Sequence, residues 1–163
     1  MSTATVFGNW GNYNKNAIIM QMMRIIAGGK ASRAWVAESC QEYVKRLRKP
    51  YQIEWQFVDE ADLAAKVLAL PKQDFVVLLD ERGTIMDSVD FAKMLERNLL
   101  DGRNIVFVLG GAFGHFSESL HERANFVLSF SKMVFPHQLC RVILAEQIYR
   151  AQEIIEGRPY HHA

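Results

Sequence analysis

The sequence predicts an α/β fold in which a mostly parallel sheet is covered by helices on both faces. Short apolar segments that suit strands alternate along the chain with longer segments of helical periodicity. Residues 105–109 read Ile-Val-Phe-Val-Leu, and such a run without polar alternation is typical of a strand buried on both faces. The predicted order is strand, helix, strand, helix, strand, helix, strand, strand, helix, which favours parallel pairing.

Length and composition indicate an ordinary globular domain. The chain has 163 residues, of which 50% are hydrophobic and 23% charged, so it can bury a sizeable core. Its formal net charge of +1 neither indicates nor excludes nucleic-acid binding, because a local basic patch is enough. Cys40 and Cys140 lack metal-ligand spacing, which favours free thiols in a reducing cytoplasm and a protein without metal. No apolar run approaches the length of a membrane span, and no secretory signal is apparent.

Residues 1–19 differ from the rest of the chain. They are rich in Asn, Gly, Ser and Thr and carry one charge, Lys15. We therefore predict a flexible N-terminal extension here, with an integral strand as the alternative. Residues 20–163 are predicted to form a single domain, whose first strand and turn lie within residues 20–30.

A helix, a strand and a second helix are predicted next. Apolar residues at helical spacing predict a helix that ends before Pro50, and its basic end suits either the helix dipole or an RNA contact. The expected inward residues are Trp35, Val36, Cys40, Tyr43, Val44 and Leu47. Alternating apolar and polar residues predict a half-exposed strand at 51–58. A short helix at 60–70 follows, with Asp59 as the expected N-cap.

The middle of the chain predicts a buried strand, a helix and two further strands. Residues 75–79 are apolar and end at the charged segment 80–83. A helix is predicted at 89–100, with Asp87 or Ser88 as its N-cap and Asp101-Gly102 after its end. The strand at 105–109 follows, and residues 126–130 predict the last strand.

Two turns at the ends of neighbouring strands are expected to form a pocket, because ligands of such sheets bind beyond the carboxyl ends of the strands. The first turn holds three glycines within residues 110–114, which alone also suits a mere tight turn, and it lacks the Gly-Lys-Ser/Thr sequence of a phosphate loop. The second turn, residues 131–136, offers backbone polar groups and little charge. Such a turn suits adenine or another flat heterocycle rather than a polyphosphate.

A long helix is predicted to begin near Pro136, which is favoured in the first turn of a helix. Its polar residues are spread around the helix, so it is expected to pack against a partner copy as well as its own sheet. Arg141 and Arg150 could instead pair with Glu146 or Glu153 at helical spacing. The aromatic and cationic tail at 157–163 could also be a frayed terminus.

Several segments resemble the RlmH family of SPOUT-class methyltransferases, which methylate N3 of a pseudouridine in bacterial 23S large-subunit rRNA. They are Leu109-Gly110-Gly111, residues 128–138 (Leu-Ser-Phe-Ser-Lys-Met-Val-Phe-Pro-His-Gln), residues 141–151 (Arg-Val-Ile-Leu-Ala-Glu-Gln-Ile-Tyr-Arg-Ala) and Pro159-Tyr160-His161. The resemblance implies a C-terminal trefoil knot, a homodimer and an S-adenosylmethionine site formed by the knot loops. It also implies 23S rRNA or the ribosome as partner, a cytoplasmic location, and neither a metal nor a membrane.

The resemblance implies two sets of site residues. The expected S-adenosylmethionine contacts are Leu79, Gly110, Gly111, Ser131, Lys132, Met133, Val134, Phe135 and Pro136. The residues expected at the rRNA side and in catalysis are His137, Arg141, Arg150, Tyr160 and His161. His161 or His137 has a suitable intrinsic pKa to accept the N3 proton, with solvent as a rival, and Tyr160 could stack on the target base. The tail could come from the partner subunit.

The sequence is also compatible with other functions, and it differs from the family at several positions. The rivals are a SPOUT enzyme acting on tRNA or on a ribose 2′-hydroxyl, and a non-catalytic ribosome-binding relative. Ala112-Phe113 stands where relatives usually carry proline or serine and a polar residue. Segment 80–83 is more charged than is usual in the family, and the stretch 58–75 is shorter than in most relatives.

Overall fold

The computed structural model describes residues 22–111 and 116–160. The predicted extension at 1–19, Ala112-Phe113 and His161 lie outside the described residues. The elements in chain order are β1 (Met23–Gly28), α1 (Ala34–Val44), β2 (Ile53–Val58), a 3₁₀ turn (Glu60–Asp62), α2 (Leu63–Leu68), β3 (Phe75–Ile85), α3 (Ser88–Leu100), β4 (Ile105–Leu109), α4 (Glu118–Arg123), β5 (Phe126–Ser129) and α5 (His137–Ile155).

The described strands form one five-stranded sheet in the order β2-β1-β4-β3-β5, and every pairing is parallel. β4 lies at its centre, where Phe107 pairs with Ile25 on one side and Val77 on the other. All residues of β4 are buried, as its uninterrupted apolar sequence predicts. The predicted α/β class and parallel sheet are confirmed, and the trefoil knot stays a prediction.

Helices cover both faces of the sheet, as predicted. Alternate side chains of β4 point to opposite faces, so Phe107 joins one core cluster and Val108 the other. The first cluster contains buried residues of α3 and α5, and the second contains Leu63, Val67 and Leu120 from α2 and α4. Full burial of side chains of this size stabilises the fold by roughly 1.5–3 kcal/mol each.

The helix α5 buries one side against the rest of the chain, and its other residues are partly exposed. Leu144, Ala145, Ile148 and Ala151 are fully buried, and Ala145 packs against Val36 and Cys40 of α1. Small side chains at 145 and 151 allow this close approach. No helix of the described residues is long and apolar enough to cross a membrane.

Two short elements differ from the sequence predictions. α4 was not predicted, because its sequence Glu-Ser-Leu-His-Glu-Arg has one apolar residue, Leu120, and no periodicity. β3 does not end at Leu79 but continues to Ile85, with an irregular pairing between Leu79 and Thr84. Tertiary pairing with β5 therefore extends the strand beyond its apolar core.

Several local predictions for the N-terminal half were wrong. α1 ends at Val44, several residues before Pro50, and Trp35 is 50% exposed rather than inward. The basic residues follow α1 and do not lie in its last turn, where they would stabilise the helix dipole. Arg48 instead forms ion pairs with Glu153 and Glu156 at the end of α5. No side-chain hydrogen bond from Asp59 caps the turn that follows it.

The α3 boundaries agree with the capping residues that predicted them. Asp87 is the N-cap, and its carboxylate accepts a hydrogen bond of 2.8 Å from the backbone N–H of Asp90. After Leu100, Gly102 has a φ of 76°, a conformation that glycine adopts without strain.

Candidate functional site

A cavity of about 530 Å³ lies at the carboxyl ends of β4 and β5 and beside the irregular segment of β3. Its walls are residues 79–81 of β3, the ends of β4 and β5, and the two turns that follow β4 and β5. The lining residues are Leu79, Asp80, Glu81, Leu109, Gly110, Gly111, Leu128, Ser129, Phe130, Ser131, Met133, Val134, Phe135, Pro136, His137 and Cys140. The two turns thus meet at one cavity, but β3 lies between β4 and β5, so the expectation of neighbouring strands was wrong.

The predicted cofactor contacts, except Lys132, line this cavity. Lys132 is exposed beside it. Met133 and Val134 are 72% and 74% exposed, so they form an apolar rim open to solvent. The role of these residues in binding stays a prediction.

The glycine turn is packed tightly against two neighbouring segments. A Cβ added to Gly111 would overlap the carboxylate of Glu60, which follows β2. A Cβ added to Gly28 at the end of β1 would lie 3.1 Å from the backbone nitrogen of Gly111. The absence of side chains therefore lets three strand ends meet beside the cavity.

The second turn is held by serine hydroxyls. The Ser129 hydroxyl lies 2.8 Å from the carbonyl oxygen of Ser131 and 3.1 Å from that of Glu81. The Ser131 hydroxyl accepts a 3.0 Å hydrogen bond from the backbone N–H of Met133. These contacts hold the backbone of the turn against β3, and the chain then enters α5 at His137.

The β3 wall of the cavity is shaped by a buried carboxylate. Asp80 accepts hydrogen bonds from the backbone N–H, Nε and Nη2 of Arg82 at 2.9, 3.1 and 2.9 Å. His121 Nε2 lies 3.4 Å from the same carboxylate. The hydrogen bonds from Arg82 lower the pKa of Asp80 although its burial acts in the opposite direction. Asp80 therefore remains charged and holds the irregular segment of β3.

His137 is the first residue of α5 and is half-buried on the cavity wall. Burial lowers its pKa, and the charges of Arg141 and Arg33 act in the same direction while Glu60 opposes them. Its Nε2 lies 3.4 Å from the side-chain nitrogen of Gln138. A neutral imidazole at neutral pH is the form that can accept a proton.

Arg141 does not pair with Glu146 or Glu153, which was one of the alternatives for this residue. Only 1% of its surface is exposed, and its guanidinium donates to the carbonyl oxygens of Lys30 and Gly28 and to the Ser32 hydroxyl, at 3.0–3.4 Å. It also lies 5.0 Å from the ring centroid of Phe57. Arg141 therefore fixes the loop after β1 from within, and its side chain is not available at the surface.

Tyr160 and Arg150 lie together beside the middle of α5. The Tyr160 hydroxyl donates to Oε1 of Glu146 at 3.3 Å, and the Arg150 guanidinium is 4.9 Å from the Tyr160 ring centroid. Arg150 also pairs with Glu146 at 2.6 Å, so the predicted helical ion pair is confirmed for this arginine. Burial, followed by the Glu146 charge, raises the pKa of Tyr160, which keeps the hydroxyl protonated.

Comparison with known proteins identifies the family. The sequence model described as "Predicted SPOUT methyltransferase" matches residues 20–161. The chain belongs to the SPOUT methyltransferase family.

Relatives of known name agree with this assignment. The chain is 38% identical over 154 residues to "Ribosomal RNA large subunit methyltransferase H" of Caldicellulosiruptor saccharolyticus, covering 86% of this chain and 99% of the relative. It is 47% identical over 110 residues to the protein of the same name from Bacteroides fragilis, covering 67% and 68%. The resemblance to this methyltransferase family is therefore confirmed.

A solved structure supports the SPOUT fold. The structure of "a probable methylase family protein from Haemophilus influenzae Rd KW20" aligns with a TM-score of 0.51 and 13% identity. The alignment covers 84% of this chain and 67% of the other. At this low identity the likeness concerns the fold alone.

Some residues that line the cavity were not predicted from the sequence. Asp80 was noted only as part of an unusually charged segment, although it directly follows the apolar run 75–79. Cys140 lies one helical turn after Pro136, and its spacing could have placed it on the cavity side. Glu60 was predicted to begin a helix, and a 3₁₀ turn does begin there; its contact with Gly111 was not predicted. Among the described residues, no group of three or more His, Cys, Asp or Glu side chains could hold a metal ion.

Proposed function

We propose that this protein methylates N3 of a pseudouridine in 23S rRNA with S-adenosylmethionine, acting in the cytoplasm on the ribosome or its subunit. The observation that carries the proposal is the single cavity between the turns after β4 and β5, in a chain of the SPOUT methyltransferase family. The relatives named as ribosomal RNA methyltransferases support rRNA as the substrate. The N3 position follows from the resemblance of the 128–138 and 159–161 segments to the RlmH family.

The lining of the cavity fits the proposed methyl donor. Its volume of about 530 Å³ lies in the range of small-molecule sites. Leu79, Leu109 and Leu128 offer an apolar surface for a flat adenine ring, and the backbone of residues 131–136 offers polar groups. Gly110 and Gly111 line the cavity and have no side chains that would occupy it.

The chain's own residues supply positioning and proton transfer. When bound, S-adenosylmethionine supplies a methyl group on a positively charged sulfur, which is already a strong electrophile. The remaining task is to hold N3 in line with that methyl group, and positioning of this kind contributes most of the rate. The N3 proton must also leave, and His137, which lies on the cavity wall with a lowered pKa, is suited to accept it. His161 of the tail and solvent are the other acceptors.

The position of the tail supports a homodimer whose site uses two chains. Tyr160 contacts Glu146, which lies about 14 Å along α5 from His137 at ~1.5 Å per residue. Tyr160 therefore lies beside the helix and away from its own cavity. A partner subunit packed on this side would bring its Tyr160 and Arg150 to the cavity of the first chain, where Tyr160 could stack on the target base.

The decisive experiment is mass mapping of 23S rRNA from a deletion strain, with and without complementation. We expect one methylated pseudouridine to lose its methyl group and regain it with the wild-type gene. Ser131→Tyr, which would fill the cavity, should fail to complement, whereas the matched Ser117→Tyr at an exposed position should succeed.

Each other outcome identifies a rival. An unchanged pseudouridine pattern removes the proposed substrate, and altered tRNA or ribose methylation would then identify a different SPOUT activity. Calorimetry with S-adenosylmethionine separates the enzyme from a non-catalytic ribosome-binding relative. The enzyme must bind the donor, so an absence of binding would favour the non-catalytic alternative.

A further inference from the structure

Glu60 lies closer to the cleft than its place in the sequence indicates. It belongs to the 3₁₀ turn Glu60–Asp62, which directly follows the carboxyl end of β2. Because all strands are parallel, this end lies on the same edge of the sheet as the cavity. The carboxylate of Glu60 lies against the Cα of Gly111, in the space that any Cβ at this position would take.

A series of contacts connects this carboxylate with His137. Gly111 touches Glu60 on one side and approaches Gly28 on the other. The carbonyl oxygen of Gly28 accepts a 3.4 Å hydrogen bond from Arg141, which is one helical turn after His137 on α5. Gly111 and His137 also line the same cavity. The Glu60 carboxylate thus lies against the Gly111 turn, and His137 lines the cavity that this turn bounds.

We propose that Glu60 is a positioning residue for the methyl transfer, in which its carboxylate faces His137 across the Gly111 turn and stabilises the imidazolium formed there. This inference rests on the proposed function. In the step, the N3 lone pair forms the bond to the methyl carbon, and the bond from carbon to sulfur breaks with its electrons left on sulfur. The N3 proton passes to His137, so a positive charge appears on the imidazole. A carboxylate nearby favours that charge.

The charged groups around His137 oppose one another, which makes the contribution of Glu60 measurable. Arg141 lies on the same helix, Arg33 lies in the loop before α1, and Glu60 follows β2. The backbone N–H of Arg33 donates a 3.3 Å hydrogen bond to the side-chain oxygen of Gln138, next to His137. Burial and both arginines lower the pKa of His137, and Glu60 raises it. Glu81 and Cys140 face the cavity from β3 and α5.

The first test is an NMR titration of the histidine ring protons in the full chain, with the His137 signal assigned from a His137→Gln variant. Glu60→Gln should move the His137 midpoint to lower pH, because the variant removes a charge that raises the pKa of His137. Arg33→Gln removes an opposing charge and should move it to higher pH. Asp62→Asn, an exposed acidic residue of the same 3₁₀ turn, is the matched control and should leave the midpoint unchanged. If Arg33→Gln moves the midpoint and Glu60→Gln does not, the inference is wrong.

The second test is the pH dependence of kcat/KM with the ribosomal substrate that the mass mapping identifies. If the neutral imidazole accepts the proton, the rate rises with pH through the His137 midpoint, and Glu60→Gln moves this rise to lower pH and lowers the plateau about 10-fold. A structural contact alone would leave the position of the rise unchanged, and that result would overturn the catalytic part of the inference. Wild-type protein without activity on any ribosomal substrate would refute the proposed function instead, while the NMR titration still decides whether Glu60 acts on His137.

Discussion

The Tyr160 hydroxyl donates a hydrogen bond to Oε1 of Glu146, so residues 157–160 return along α5 toward the middle of this helix. The Tyr160 ring meets the Tyr149 ring edge-on with centroids 4.8 Å apart. Two further contacts hold the base of the tail, because Arg158 pairs with Glu153 at 3.5 Å and also with Glu156. Arg158 and Tyr160 are therefore held against α5 of their own chain.

This position leads to a complementation prediction. If each site combines the cleft of one chain with the tail of the other, His137→Ala and Tyr160→Ala should each inactivate the enzyme. Dimers that contain one chain of each kind have one intact site of two, so purified mixed dimers should recover about half of the wild-type rate. The measurement is methyl incorporation into ribosomal RNA by doubly tagged, co-purified dimers.

The matched control combines Tyr160→Ala with Arg150→Ala. Both substitutions affect the tail side, so each site of the mixed dimer keeps one defect and activity should not return. No recovery with His137→Ala would show that the cleft and the tail of one site belong to the same chain. Recovery in the control would show that Arg150 serves the cleft of its own chain and does not act together with Tyr160.

The cleft could be predicted from the sequence because strand ends are visible in it. Apolar runs that end in Gly110-Gly111 and in Ser131 indicate where parallel strands stop, and ligands bind beyond such ends. The sheet order could not be predicted, since apolar strands buried on both faces carry no signal for their neighbours. This is why the position of β3 between β4 and β5 was missed.

The burial of Arg141 also could not be predicted from the sequence. Arg141 has glutamates at helical spacing, and a surface ion pair was a reasonable expectation. In the fold it lies beneath the loop after β1, where backbone carbonyl oxygens replace a carboxylate partner. Such contacts connect residues more than a hundred positions apart, which helical periodicity does not report. Arg150, which lies nearer the surface, kept the local pairing that its spacing indicates.

The irregular segment of β3 predicts a strong effect of Gly83→Ala. A Cβ on Gly83 would lie 2.7–2.8 Å from backbone atoms of Val127 and Leu128 in β5. Backbone of a paired strand cannot turn aside as a flexible side chain can, so the free energy of unfolding should fall by about 1–3 kcal/mol. Chemical denaturation measures this change. Thr84→Ala at the neighbouring exposed position is the control, with an expected loss under about 0.5 kcal/mol. If both variants lose the same small amount of free energy of unfolding, the backbone of β5 can move away from position 83 at little cost.

The carboxylate of Asp80 predicts a pH-dependent stability. The hydrogen bonds from Arg82 hold its pKa below the ordinary value of 3.8, so the folded state favours the charged form. Its contribution is present above the unfolded pKa and is lost as the pH falls through the folded pKa. Asp80→Asn should therefore lower the free energy of unfolding at pH 7 by about 1–2 kcal/mol, and the difference should shrink at acid pH.

Denaturant unfolding from pH 2 to pH 7 checks this expectation. Asp90, whose side chain is mostly exposed and pairs with Lys93 on α3, provides the matched Asp→Asn control. Its substitution should show little effect at any pH. A difference for Asp80→Asn that stays constant down to the lowest pH would mean that the charge of this carboxylate contributes nothing to stability.

The buried guanidinium of Arg141 predicts that lysine cannot replace it. Lysine keeps the charge, but its single ammonium group cannot reach the acceptors at Gly28, Lys30 and Ser32 together or lie flat near Phe57. Arg141→Lys should lower the free energy of unfolding by about 2 kcal/mol, because buried acceptors lose their donors. It should also increase amide hydrogen exchange in residues 28–32, next to the Gly111 turn. Arg46→Lys, at an exposed ion pair with Glu42, is the matched control and should change neither quantity. If Arg141→Lys matches the wild type in both measurements, contacts other than those of Arg141 hold the loop after β1.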